Sequence, residues 1–113
     1  MTTTMRKLKP KMFRLNHLVW KVHSVDLSDL PENTVGTCSS PFDAEIKIYE
    51  QGGLEDADTL LHECIHAMDY AYSIKLSETQ VIKLGHLLTF LIRDNSCVLT
   101  YVKQKIKEEY ANA

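Results

Sequence analysis

The chain has 113 residues, 44% of them hydrophobic and 25% charged, with a formal net charge of -2. This length and composition predict one domain with a real core, and exclude low-complexity or collagen-like structure. Three cysteines (Cys38, Cys64 and Cys97) without C-x-x-C spacing exclude a disulfide framework and predict reduced thiols in the cytoplasm, and no run of about 18 apolar residues predicts a membrane span.

Residues 1–12 form a basic arm, MTTTMRKLKPKM, with no apolar stretch or cleavage site of a signal peptide. Arg6, Lys7, Lys9, Lys11 and Arg14 could touch nucleic acid, but no recognition motif accompanies them, so a flexible, solvated arm is expected. FRLNHLVWKVHSVDL then reads as one strand with imperfect alternation. Phe13, Leu15, His17, Val19, Lys21 and His23 share one face, and Leu18, Trp20 and Val22 the other. SDLPENTVGTCSSP is a loop with a short strand around residues 34–37. FDAEIKIYEQ alternates clearly, with Ala44, Ile46 and Ile48 inward. The pair Gly52–Gly53 ends that strand.

A helix follows, opening near Glu55–Asp56, whose acids suit its positive end. Its expected buried stripe is Leu61, Ile65, Met68 and Tyr72. Ser77-x-x-Gln80 is a capping-box signature for a second helix reaching about Asp94, with Val81, Leu84, Leu88 and Leu91 inward. Asp94-Asn95-Ser96 turns into a third helix expected to pack Leu99, Val102, Ile106 and Tyr110.

The first helix carries LLHECIHAMDY. His62 and His66 are one turn apart and about 40° apart around the axis, so one ion can accept both rings. Glu63, offset by about 100°, can lean over that ion without ligating it and take a proton from water. Neutral imidazoles hold Zn²⁺ firmly, and a carboxylate base suits a metal-activated water. The competing reading is two ordinary helical histidines. Candidates for a third ligand are Glu78, His86, His17, His23 and Asp69. His17 and His23 are about 20 Å apart along an extended strand and cannot share one metal directly. Asp69 is better placed to orient the ring of His66. Glu78 opens the second helix, where an acid also stabilises the helix by itself. Cys64 points away from the metal and reads as a buried small hydrophobe.

LLHECIHAMDY resembles the zincin class of metallopeptidases. The longer tract VGTCSSPFDAEIKIYEQGG…DTLLHECIHAMDY…LSETQVIKLGHLLTFLIRDN is similar to small phage- and prophage-encoded zinc metallopeptidases, and more distantly to repressor-cleaving peptidases of mobile elements. Those repressor-cleaving enzymes typically have glycine before the second histidine, where this chain has Ile65. The resemblance implies an α+β, minimal zincin-like fold over residues 13–113: a small two- to three-stranded sheet packed on three helices, one bearing the HExxH motif. It implies Zn²⁺ on His62, His66 and Glu78, with Glu63 as general base. A protein or peptide substrate would lie along the 44–49 strand, expected to be the edge bordering the cleft. Tyr70 is the expected oxyanion donor, with Tyr72 and His23 as alternatives. A catalytically silent zinc-binding interaction module is the alternative function. The sequence does not fix the substrate or the oligomeric state.

Overall fold

A computed structural model of the protein describes residues 6–15 and 18–111. The elements are β1 (Arg6–Leu15), β2 (Leu18–Ser24), a short 3-10 turn (Leu27–Asp29), β3 (Gly36–Cys38), β4 (Glu45–Ile48), α1 (Gly53–Tyr72), α2 (Glu78–Asp94) and α3 (Ser96–Ala111). The four strands make one mixed sheet in the order β1-β2-β4-β3. β2 and β4 run parallel, and the outer pairs are antiparallel.

Two expectations change here. The single strand expected from residue 13 onward is the arm-to-arm hairpin β1–β2, so the sheet has four strands rather than two or three. The imperfect alternation was its signature. In the hairpin, Phe13 faces Trp20 and Leu15 faces Leu18, and directly opposed residues point to the same side. An apolar set that changes parity between residues 15 and 18 is therefore one continuous face folded back on itself. β1 also begins at Arg6, so residues 6–12 of the expected arm belong to the sheet. The second change concerns the edge. β4 lies between β2 and β3, and β3 is the outer strand on that side.

Alternation in β4 buries Ala44, Ile46 and Ile48. They join Trp20 and Val22 of β2 and receive Leu60, Cys64 and Ala67 of α1, which recur at helical spacing and face the sheet. The stripe thus lies one residue away from Leu61 and Met68, which are only half buried, while Tyr72 is exposed. Ile65 is buried as expected. Cys64 is the small core hydrophobe that its position implied.

α1 starts at Gly52 (φ 105°) and Gly53 (φ 57°), backbone conformations that glycine adopts without strain. Both oxygens of Asp56 reach back, accepting from the N–H groups of Gln51 (2.6 Å) and Gly52 (3.0 Å). At the start of α2, Ser77 Oγ accepts from Gln80 N (3.2 Å) and Gln80 Oε1 from Ser77 N (2.8 Å), which completes the capping box.

α2 buries Val81 as expected, but with it Gly85 and Thr89 rather than Leu84, Leu88 and Leu91. The reason is a close helix crossing. A Cβ added to Gly85 would lie 3.3 Å from Asp58 Oδ1 and 3.7 Å from the His62 Cα. Only small side chains fit on this line, so the leucines are displaced to the flank. α3 leaves Val102 and Ile106 about half exposed, also against expectation. The side chain of Tyr110 lies outside the described residues. No helix among the described residues is long and apolar enough to cross a membrane.

The crossing can be tested at one position. Gly85→Ala is expected to be nearly neutral, because a gain of about 1 kcal/mol in helix propensity offsets a tight contact. Gly85→Leu should force the helices apart and lower the unfolding free energy by about 1–3 kcal/mol in urea titrations.

Candidate metal centre

The helical spacing of α1 puts His62 and His66 side by side, ring centroids 4.8 Å apart and edge to face. Their Nε2 atoms converge on one carboxylate from α2. Glu78 Oε1 is 2.9 Å from His62 Nε2, and Glu78 Oε2 is 3.1 Å from His66 Nε2. His62, Glu63 and His66 also bring potential ligand atoms within 4.8 Å of one another. Both carboxylates are thus at hand, but Glu78 faces the two Nε2 atoms directly. Burial lowers the pKa of His62 more than Glu78 raises it. Its ring is therefore neutral near pH 7, and the 2.9 Å contact is a hydrogen bond from a neutral imidazole rather than an ion pair.

Glu63 is 6% exposed. Burial first, and the neighbouring Glu78 second, raise its pKa to about 7. It sits against the edge strand at a point where no side chain could intervene. A Cβ on Gly36 would be 2.9 Å from Glu63 Oε2 and 2.9 Å from Thr59 Cγ2.

The cleft holds about 320 Å³ and is lined by the 33–36 segment, Asp58, Thr59, His62, Glu63, His66 and Glu78. Its rim is the 33–36 segment that leads into β3, so the expected role of the 44–49 strand as the bordering edge is corrected. β3 has an open side. Val35 O accepts from Tyr49 N and Ser39 N donates to Glu45 O, both at 2.8 Å. In an antiparallel pair bonded residues alternate, so 35, 37 and 39 turn their polar groups towards β4. Gly36 and Cys38 consequently present N–H and C=O to the open side.

Other candidate residues lie elsewhere. His86 is exposed, and its Nδ1 pairs with Asp58 Oδ1 at 2.9 Å. It lines a neighbouring recess with Leu54, Thr89 and Phe90. His23 is buried in β2 in register with Lys47, away from the cleft lining. His17 lies outside the described residues. Tyr70 is half exposed and stacks on His66, with centroids 6.4 Å apart. It lines a depression with Asp69, Ser73 and Lys75, and neither it nor Tyr72 lines the cleft. Cys38 and Cys64 have thiol pKa values raised to about 12, chiefly by burial, so neither offers a thiolate ligand or nucleophile.

Asp69 does not orient the ring of His66. Its Oδ1 accepts from Lys75 N (2.6 Å) and its Oδ2 from Leu76 N (3.2 Å). Its backbone carbonyl also accepts from the N–H groups of Ser73 and Ile74. The turn it fastens contains two left-handed non-glycine residues, Ser73 (φ 52°) and Lys75 (φ 66°). Asp69 thus ties the segment that delivers Glu78 to the helix that bears both histidines. Gly36, Asp58 and Thr59 also escaped the sequence reading. Asp58 had a signal, since it stands one helical turn before His62.

Comparison of the chain with protein-family models, with curated proteins and with solved structures finds no match. The class rests on the molecule itself. A small α+β domain whose first helix carries a His-Glu-x-x-His cluster facing a cleft is a minimal zincin-like fold. The cluster can hold a metal ion.

A pH test isolates the buried carboxylate of Glu63. In the metal-free protein Glu63 keeps its proton up to about pH 7, whereas an ordinary glutamate releases it near 4.5. Between those values the folded state binds the extra proton, so stability falls as pH rises. His62 acts in the opposite sense, because its lowered pKa makes stability rise with pH up to about 6.5. Chelator-treated Glu63→Gln should therefore lack a decrement of order 3 kcal/mol or less that wild type shows from pH 4.5 to 7 in urea titrations.

Proposed function

We propose that the protein is a zinc-dependent peptidase. The observation that carries this reading is the convergence of two imidazole Nε2 atoms on the Glu78 carboxylate, with the nearly buried Glu63 carboxylate beside them in an open cleft. Donor spacings of 2.9 and 3.1 Å compare with about 3.3 Å between two ligand atoms on a tetrahedral zinc with bonds of 2.0–2.2 Å. Two histidines and one glutamate also form a donor set that leaves a position open for chemistry.

His62, His66 and Glu78 would hold the ion, each neutral ring freeing its Nε2 by carrying its proton on Nδ1 instead of donating from Nε2 to Glu78. Bound zinc supplies Lewis acidity and makes water nucleophilic near neutral pH. Glu63 accepts the proton of the attacking water and returns it to the leaving nitrogen, the role of a carboxylate placed beside that water. Gly36 and Cys38 offer an extended peptide backbone its hydrogen bonds by strand addition to β3. Gly36 brings the β3 backbone directly against Glu63, so a chain paired to that strand would run close to the carboxylate. Tyr70 supports His66 from behind by stacking.

Purified protein is expected to contain one zinc per chain, and His62→Ala, His66→Ala or Glu78→Ala to lose it. Glu63→Gln should retain zinc while peptide cleavage, followed by mass spectrometry on a peptide mixture, falls by about 10²-fold or more. Zinc retention with no cleavage by wild type would instead favour the silent binding module.

A double-mutant cycle tests the turn. Asp69→Ala should weaken zinc affinity by about tenfold in wild type, on the scale of a lost supporting hydrogen bond. In a Glu78→Ala background, whose weak residual affinity is read by zinc titration rather than by metal retained on purification, the same change should have little further effect, because the two residues act as one unit. Equal losses in both backgrounds would show that Asp69 acts through the histidine helix alone.

A further inference from the structure

Packing against α1 consumes only one line of α2, and a second apolar line is left over. Leu84, Leu87 and Leu91, at i, i+3 and i+7, are 39%, 63% and 46% exposed. α3 repeats the spacing with Leu99, Val102 and Ile106, of which the last two are 45% and 53% exposed. Amphipathic helices of globular proteins normally bury such stripes. The two cannot cover each other within one chain. A single residue, Asn95, joins α2 to α3, whereas antiparallel helix pairs need a loop of about two to five residues.

α3 touches no element other than α2 among the described residues. A helix of 16 residues with so little tertiary support is marginal in water.

We propose that the α2–α3 face is a homodimer interface, in which α3 of each copy lies on the leucine stripe of its partner's α2. Each chain carries one helix without a cover and one stripe of equal spacing without an occupant. A two-fold axis satisfies both at once and closes the assembly. A lipid surface suits the face less well. The polar side of α3 mixes Lys103, Lys105 and Lys107 with Glu108 and Glu109, and Lys105 is paired to Glu108 at 3.2 Å, whereas helices that lie on anionic membranes present mainly basic residues. None of the stripe residues lines the metal cleft, so the proposal does not rest on the peptidase reading.

Sedimentation equilibrium and light scattering on the full chain, together with vesicle flotation, test it. Wild type is expected to show twice the mass of 12.9 kDa at about 100 μM and to dissociate on dilution. Leu87→Glu and Ile106→Glu should each give the single-chain mass, and Leu87→Ala should raise the dimer dissociation constant by about tenfold. The single tryptophan, Trp20, is fully buried in the sheet, so its unchanged emission in these variants shows that the fold is intact. A wild-type protein of single-chain mass overturns the proposal, whether it stays in solution or floats with phosphatidylserine vesicles. So does a dimer that persists in both glutamate variants with tryptophan emission unchanged.

Discussion

The close approach of α1 to α2 is the constraint on which the rest of the centre depends. The two helices cross where α2 has Gly85, with Asp58 and the backbone of His62 directly opposite. A wider crossing would carry the start of α2 away from α1, and the carboxylate of Glu78 would no longer span both histidine Nε2 atoms. The Asp69 clamp sets the other coordinate. It fixes how the chain leaves α1 and turns into α2, holding backbone at Ser73 and Lys75 that would otherwise relax. Crossing distance and exit path together leave Glu78 little freedom in where its carboxylate can go.

The sheet contributes through its edge rather than its middle. β4 supplies the core residues, but β3, only three residues long, meets the face of α1 that carries Thr59 and Glu63. Its shortness fits an exposed edge, since a short strand offers little backbone for unwanted pairing. The glycine at its start brings backbone, not side chain, up to Glu63. Burial of that carboxylate therefore follows from the fit of strand against helix, with no need for an apolar residue placed over it.

Much of this was legible in the sequence because it is local. The motif of His62, Glu63 and His66, the capping box of Ser77 and Gln80, the glycine pair before α1 and the alternation through Ala44, Ile46 and Ile48 all express short-range periodicity or capping chemistry. What escaped depends on pairing between distant segments. Nothing near residues 44–49 says that both flanks of that strand are taken, because strand order is set by β2 and β3. The parity change between Leu15 and Leu18 was visible, but it reads as noise unless a hairpin is considered. Leucines outnumber small residues on α2, so hydrophobicity pointed to Leu84, Leu88 and Leu91. The crossing kept Val81 but otherwise selected Gly85 and Thr89 by size. Asp69 looked like a partner for His66 on helical spacing alone, whereas the turn that follows offered it two backbone donors.

That α1 and α2 would each supply ligands to one ion has a consequence for the molecule's persistence as well as its chemistry. A ligand held only by the folded state, at a hundred times its dissociation constant, adds about 2.7 kcal/mol to stability. A disulfide closing a loop of about 15 residues, the span from His62 to Glu78, adds about 3 kcal/mol. Zinc here would thus act as a staple of disulfide strength in a chain whose cysteines form none, and one that opens whenever the free ion becomes scarce. Cellular abundance of the protein would then track metal supply, since chains that lose the staple spend more time open to proteolysis.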